Sequence, residues 1–167
     1  MTRAGSPRQR RWVPWVLAGA AYAGFLISAY LTFVHYRGYV SPCYVMHGCE
    51  AVQTSKYSVI LGVPLALLGT AFFAVMFYLG IALLTGSRVL VSHVYKVLAF
   101  AGALAVIPLF LIQAVLLKAF CTYCVATEAI MLLLWVVSFL RRAPEQSGES
   151  PVADVQPIVM PSRSRHP

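Results

Sequence analysis

Phe120-Cys121-Thr122-Tyr123-Cys124 leads into residues 125–140, VATEAIMLLLWVVSFL, an apolar run built to sit in lipid. Two cysteines separated by two residues can close a small, reversible disulfide. If a helix starts here, its unpaired N–H groups and the positive end of its dipole stabilise a thiolate. The thiolate is the form that attacks another sulfur or an electron-poor carbon. The stretch therefore reads as a dithiol at a membrane surface, and the rest of the chain has to account for what reduces it and what oxidises it.

The composition agrees with a membrane setting. Of the 167 residues, 60% are hydrophobic and 11% charged, more apolar surface than a soluble core of this length can use. The formal net charge of +8 would point to nucleic acid in a soluble protein. Here the basic residues flank apolar runs, which is the pattern of membrane orientation. No basic patch with interleaved aromatics is left once the apolar runs are removed, so nucleic acid is excluded as a partner.

Working outward, about 20 apolar residues suffice to cross the hydrocarbon. Four segments qualify: residues 12–34, 59–84, 91–117 and 122–140. The first follows a basic stretch, residues 1–11, and so resembles a cleaved signal peptide. Its length and the missing small-residue cleavage site favour an uncleaved helix. Residues 35–58 are polar and broken by Gly38, Pro42 and Gly48, which predicts a surface loop with a short helical piece after Cys49. Gly62-Val63-Pro64 suits a helix entrance. Thr85-Gly86-Ser87-Arg88 reads as a tight turn, and Pro108 predicts a kink in the third span. Residues 118–120 form a short link, and Arg141-Arg142 stop the last span. The polar residues 143–167 read as a disordered tail. The fold class expected is therefore an all-α membrane protein, with residues 12–140 as a four-transmembrane-helix domain and a cysteine-bearing loop between its first two helices. Residues 1–11 and 141–167 lie at its cytoplasmic ends.

Four spans put both termini and the Arg88 turn on one side. That side holds ten basic residues: Arg3, Arg8, Arg10, Arg11, Arg88, Lys96, Arg141, Arg142, Arg163 and Arg165. The other holds three: Arg37, Lys56 and Lys118. The positive-inside rule places the termini in the cytoplasm of an inner (plasma) membrane protein, with all four cysteines facing the oxidising side.

Cys43 and Cys49 lie in the external loop, and Cys121 and Cys124 open the last span. Two static disulfides are one reading, although a bridge across two residues closes almost no loop and removes little unfolded-state entropy. A four-cysteine zinc site fits poorly with the wide Cys43–Cys49 spacing. Covalent haem is disfavoured because Val125 rather than His follows Cys124. The reading favoured is a relay by thiol–disulfide exchange, in which a loop dithiol meets a water-soluble partner and a fixed dithiol meets a lipid-soluble acceptor.

Cys43-Tyr44-Val45-Met46-His47-Gly48-Cys49-Glu50-Ala51-Val52, Ser55-Lys56-Tyr57-Ser58, Gly62-Val63-Pro64 with Leu67-Leu68-Gly69, and Cys121-Thr122-Tyr123-Cys124, in that order, resemble the vitamin K epoxide reductase family, specifically its prokaryotic members. Part of the first span, from Ala21-Tyr22 to Tyr36, is also similar. The resemblance covers about residues 12–140. It implies a four-helix bundle around a quinone (menaquinone or ubiquinone) and an enzyme that supports disulfide formation in exported proteins. In that scheme a thioredoxin-fold partner delivers electrons to Cys43. Cys49 passes them to Cys121 through a transient bridge, and Cys124 is the thiolate facing the quinone. Ser55 aligns with a serine near the active site, as a hydrogen-bond partner of the quinone or the loop. Some members carry the partner fused to the chain. Nothing after Arg142 reads as a domain, so the partner is expected to be a separate protein.

Glu128 lies one turn beyond Cys124, and an acid within a span is by default a functional candidate. It is a candidate proton relay to the quinone, or else a group that reaches water or Lys118. Some animal members show a tyrosine in this neighbourhood. Gln113 reads as a helix–helix hydrogen bond or as a quinone ligand. His35 and His47 flank the loop and are weaker candidates for aiding thiolate formation. Two alternatives remain: the other four-helix quinone-linked oxidase type, whose Cys-x-x-Cys lies in the first external loop, and a structural or channel-like four-span protein with static disulfides.

Overall fold

The structure, a computed structural model, describes residues 12–43, 48–85 and 89–140. The expected tails, the turn at residues 86–88 and His47 lie outside these. Four helices are long and apolar enough to cross a membrane, as the hydropathy predicts. They are α1 (Val13–Tyr36), α3 (Leu65–Thr85), α4 (Val89–Leu111, continued by Ile112–Leu117) and α5 (Thr122–Leu140). The short α2 (Cys49–Gln53) lies in the loop after α1, where a helical piece was expected. This is a four-helix bundle of an all-α, multi-pass membrane protein.

Lipid is as apolar as a leucine side chain, so helices in a membrane associate through close packing rather than water exclusion. On α1 the buried residues Leu17, Ala21, Gly24, Ser28 and Leu31 recur at alternating spacings of four and three, one continuous face. Small residues let α3 approach that face. A Cβ at Gly24 would stand 2.4 Å from the buried ring of Phe73, and one at Gly80 would stand 3.1 Å from the Ala18 backbone. Nearer the loop, the Thr32 and Thr70 hydroxyls lie 3.0 Å apart across the two helices. On its other flank α3 sends Phe72 towards α4, where a Cβ at Gly102 would stand 2.7 Å from the ring. The core gathers Leu17, Phe73, Met76, Tyr95 and Leu134 from all four helices.

Two boundaries differ from the sequence expectation. Residues 59–64 do not start the second span. They form a small antiparallel hairpin, β1 (Val59–Ile60) with β2 (Val63–Pro64), and the helix begins at Leu65. Leu61 and Gly62 turn the hairpin with φ of 52° and 81°, the double positive φ of a type I′ turn. Gly62 and Pro64 are thus turn and strand residues set just ahead of the helix. The third span runs through Pro108 as α-helix and departs from that geometry one turn later. Ile112–Leu117 is π-helical and ends on Lys118 in the left-handed region. Such a widened turn is characteristic of functional sites, and this one carries Gln113.

Candidate active site

The loop, the hairpin, the π-helical turn and the start of α5 meet at one end of the bundle. Cys121 is the residue before α5, and its carbonyl accepts the Val125 N–H at 2.9 Å. Its sulfur accepts the Cys124 N–H at 3.3 Å, so Cys121 caps the helix with its own side chain. The Cys124 thiol donates to the same sulfur across 2.7 Å. With the Cys124 hydrogen bond as the main cause, Cys121 is lowered from its ordinary value to about 7. Negative charge therefore gathers on Cys121, the residue the helix terminus is built to hold. Cys121 is fully buried and Cys124 is half-buried.

Cys43 and Cys49 form a disulfide with Cα atoms 5.8 Å apart. The bridge is asymmetric in access: Cys49 is 1% exposed and Cys43 is half-buried at the rim of a small open pocket. Both residues between the fixed cysteines grip this loop. The Thr122 hydroxyl lies 3.6 Å from the Cys43 sulfur, and the Tyr123 hydroxyl donates to the Pro42 carbonyl at 3.4 Å. Gly48 completes the seat, because a Cβ there would stand 2.6 Å from the Phe120 backbone nitrogen and 2.8 Å from its oxygen. Only glycine lets the loop lie this close to the chain entering Cys121.

Behind Cys124 opens a largely apolar cavity of about 480 Å³ between α1, α3, α4 and α5. Cys124, Gln113, Glu128 and Ser55 all line it, as does His35. Gln113 ties the site together: its Oε1 accepts the Cys121 N–H at 3.1 Å and its Nε2 donates to Glu128 Oε1 at 2.7 Å. Glu128 is 5% exposed, and Gln113 is the partner of its Oε1. Its second oxygen, Oε2, is buried with no partner among the described residues. The Ser55 hydroxyl donates to the Val52 carbonyl at 2.8 Å, which secures the end of α2. One residue the sequence did not single out belongs here. Gln53 lies four residues after Cys49, and its Oε1 accepts the Ser41 N–H at 3.1 Å. Among the described residues no group of three His, Cys, Asp or Glu side chains is placed to hold a metal ion.

The model of a protein family described as Vitamin K epoxide reductase family matches residues 15–139. The chain belongs to the vitamin K epoxide reductase family. No curated protein matches the chain. Membership makes it a membrane oxidoreductase; the family is in general associated with quinones and works with a thioredoxin-like partner. The match spans all four membrane helices and both cysteine pairs of this vitamin K epoxide reductase family protein.

Proposed function

We propose that the protein takes electrons from a separate thioredoxin-fold protein and passes them to a quinone, so supporting disulfide formation in exported proteins. The observation that carries this reading is the gradient of access across the four cysteines. Cys43 is reachable from solution, Cys49 and Cys121 are buried, and Cys124 opens into the apolar cavity.

The chemistry follows the gradient. A thiolate of the partner attacks the Cys43 sulfur, the Cys43–Cys49 bond breaks and Cys49 leaves as a thiolate. The partner's second cysteine then releases Cys43. Cys49 attacks Cys121 of the oxidised Cys121–Cys124 pair, and Cys124 leaves as a thiolate. Cys43 then attacks Cys49, remaking the loop disulfide and releasing Cys121. The result is an oxidised loop over a reduced fixed pair.

The cavity suits a quinone: its walls are largely apolar, and Cys124, Gln113 and Glu128 are among the polar groups that line it. The unpartnered Glu128 Oε2 is an orphaned buried atom that a ligand's polar group would satisfy. A quinone bound there supplies an acceptor for two electrons and two protons, the number released when Cys121 and Cys124 close to a disulfide. Cys124 presents its sulfur to the cavity, Cys121 accepts the Cys124 proton, and Glu128, held by Gln113, carries a proton on Oε2. The basic-residue asymmetry supports cytoplasmic termini in an inner membrane, with the cysteines outside.

The test is to mix the purified protein with a reduced thioredoxin-fold oxidoreductase whose resolving cysteine is replaced by serine. Attack on the loop then arrests as an intermolecular disulfide, visible on a non-reducing gel. The band is expected with the wild type and absent with Cys43→Ala. Failure to form it with the wild type would remove the partner from the scheme.

A further inference from the structure

Gln53 closes α2 and lines the same apolar cavity as Cys124 and Glu128. The direction of its amide is fixed by its one bond. Oε1 accepts the Ser41 backbone N–H at 3.1 Å, and only the oxygen end of an amide can meet such a donor, so Nε2 is the end left over. Among the described residues, two buried side-chain polar atoms on this lining have no partner: Gln53 Nε2 and Glu128 Oε2. A buried N–H without an acceptor is costly and asks for an explanation.

The neighbouring polar groups do not supply the acceptor or compete as donors. The hydroxyls of Ser55, Ser58 and Thr127 are spent on the carbonyls of Val52, Ser55 and Cys124, each at 2.8 Å. Gln113 is committed at both ends of its amide, and His35, also on the lining, is exposed. A quinone has the matching need. Its ring carries two carbonyl oxygens that accept hydrogen bonds, and it has no donor of its own.

We propose that Gln53 is a quinone-binding residue, its Nε2 donating to one ring carbonyl while the proton on Glu128 Oε2 is donated to the other. The inference rests on the quinone reading of the cavity given above. It adds a donor from the external loop to the one from α5, so the ring is held between the two elements that carry the cysteine pairs.

The test reads binding rather than turnover. The full-length protein in detergent, with both cysteine pairs oxidised so that it cannot pass electrons, is given a dimethylnaphthoquinone isotope-labelled at its carbonyl carbons. Infrared difference spectra then report each carbonyl. In the wild type both stretches are expected below their position in detergent alone. In Gln53→Leu one should return to that position while the other stays lowered, with binding weakened about fivefold, the worth of one hydrogen bond. Gln53→Glu separates this role from a tether on Ser41. Its carboxyl accepts the Ser41 N–H in either form but donates to a quinone only when protonated. Relative to wild type, its binding should be unchanged at pH ~4 and weaker at pH ~8, on either side of carboxyl titration. The other titratable groups on the lining, His35, Tyr57 and Glu128, are common to both proteins, and Cys124 is held in its disulfide. Both carbonyls still lowered in Gln53→Leu, or a Gln53→Glu protein whose relative binding ignores pH, would overturn the proposal. If the wild type itself binds no quinone, the reading of the cavity falls and takes this role with it.

Discussion

Cys121 is the residue on which the site turns, because a helix terminus, a backbone N–H and a neighbouring thiol all favour charge on its sulfur. Its acidity, lowered to about 7, sets the sign of a pH effect. Rising pH through about 7 turns the fixed pair into a monoanion, whereas an ordinary thiol would stay protonated until about 9. In the reduced protein the ultraviolet thiolate absorbance should therefore rise near pH 7. The rise should vanish in Cys121→Ser and move upward in Cys124→Ala, which loses the donor. Glu128 supplies the second prediction at this scale. If its Oε2 carries a proton, Glu128→Gln should slow quinone turnover about 100-fold, within the range of general acid catalysis. Unchanged turnover across pH would assign Glu128 to packing alone. The acid's oddity inside a span was plain in the sequence; its partner was not. Gln113 sits 15 residues before Glu128 on another helix, and its amide serves Cys121 and Glu128 together. No spacing rule on a single helix reveals a bond of that kind, and the same holds for Gln53 and Ser41.

Among the elements, the external loop and the start of α5 act as a unit. Gly48 sets their separation, so Gly48→Val should lift the loop from Phe120. A displacement of the order of 1 Å costs about 100-fold when two groups must react. Reduction of the loop disulfide by an external dithiol should persist in this variant, while electron flow to quinone drops by about that factor. Equal rates would show that the loop seat is unimportant. The hairpin at residues 59–64 shows why one boundary escaped prediction. Val59-Ile60-Leu61 is apolar and continues smoothly into the span, so hydropathy reads it as helix. The decision is made instead by positive φ at Leu61 and Gly62. Leu61, 99% exposed at the tip, gives an apolar surface where the bilayer edge would be. The widened turn at Ile112–Leu117 was hidden for a similar reason: Pro108 announces a disturbance, but the place where the helix relaxes depends on what Gln113 must reach.

Over the whole molecule, the bundle holds the two cysteine pairs at one end of a stack that small residues draw together. Gly24 is the tightest point, and Gly24→Leu should destabilise the protein by about 3 kcal/mol through overpacking against Phe73. A lowered thermal midpoint in detergent would register it, and an unchanged one would mean that Phe73 can swing aside. The four spans and the family resemblance were legible because composition, length and cysteine order are properties of sequence alone. The gradient of access was not, because burial of Cys49 and Cys121 follows from how loop and bundle meet. That gradient is the central claim, and one measurement addresses it most directly. The protein, fully reduced with dithiol and freed of excess reductant, is mixed with quinone in detergent beside a Cys124→Ala variant, and quinone absorbance is followed. The wild type is expected to consume quinone while its Cys121–Cys124 pair becomes oxidised, and the variant is expected not to. Quinone left untouched by both proteins, or consumed equally by both, would contradict it.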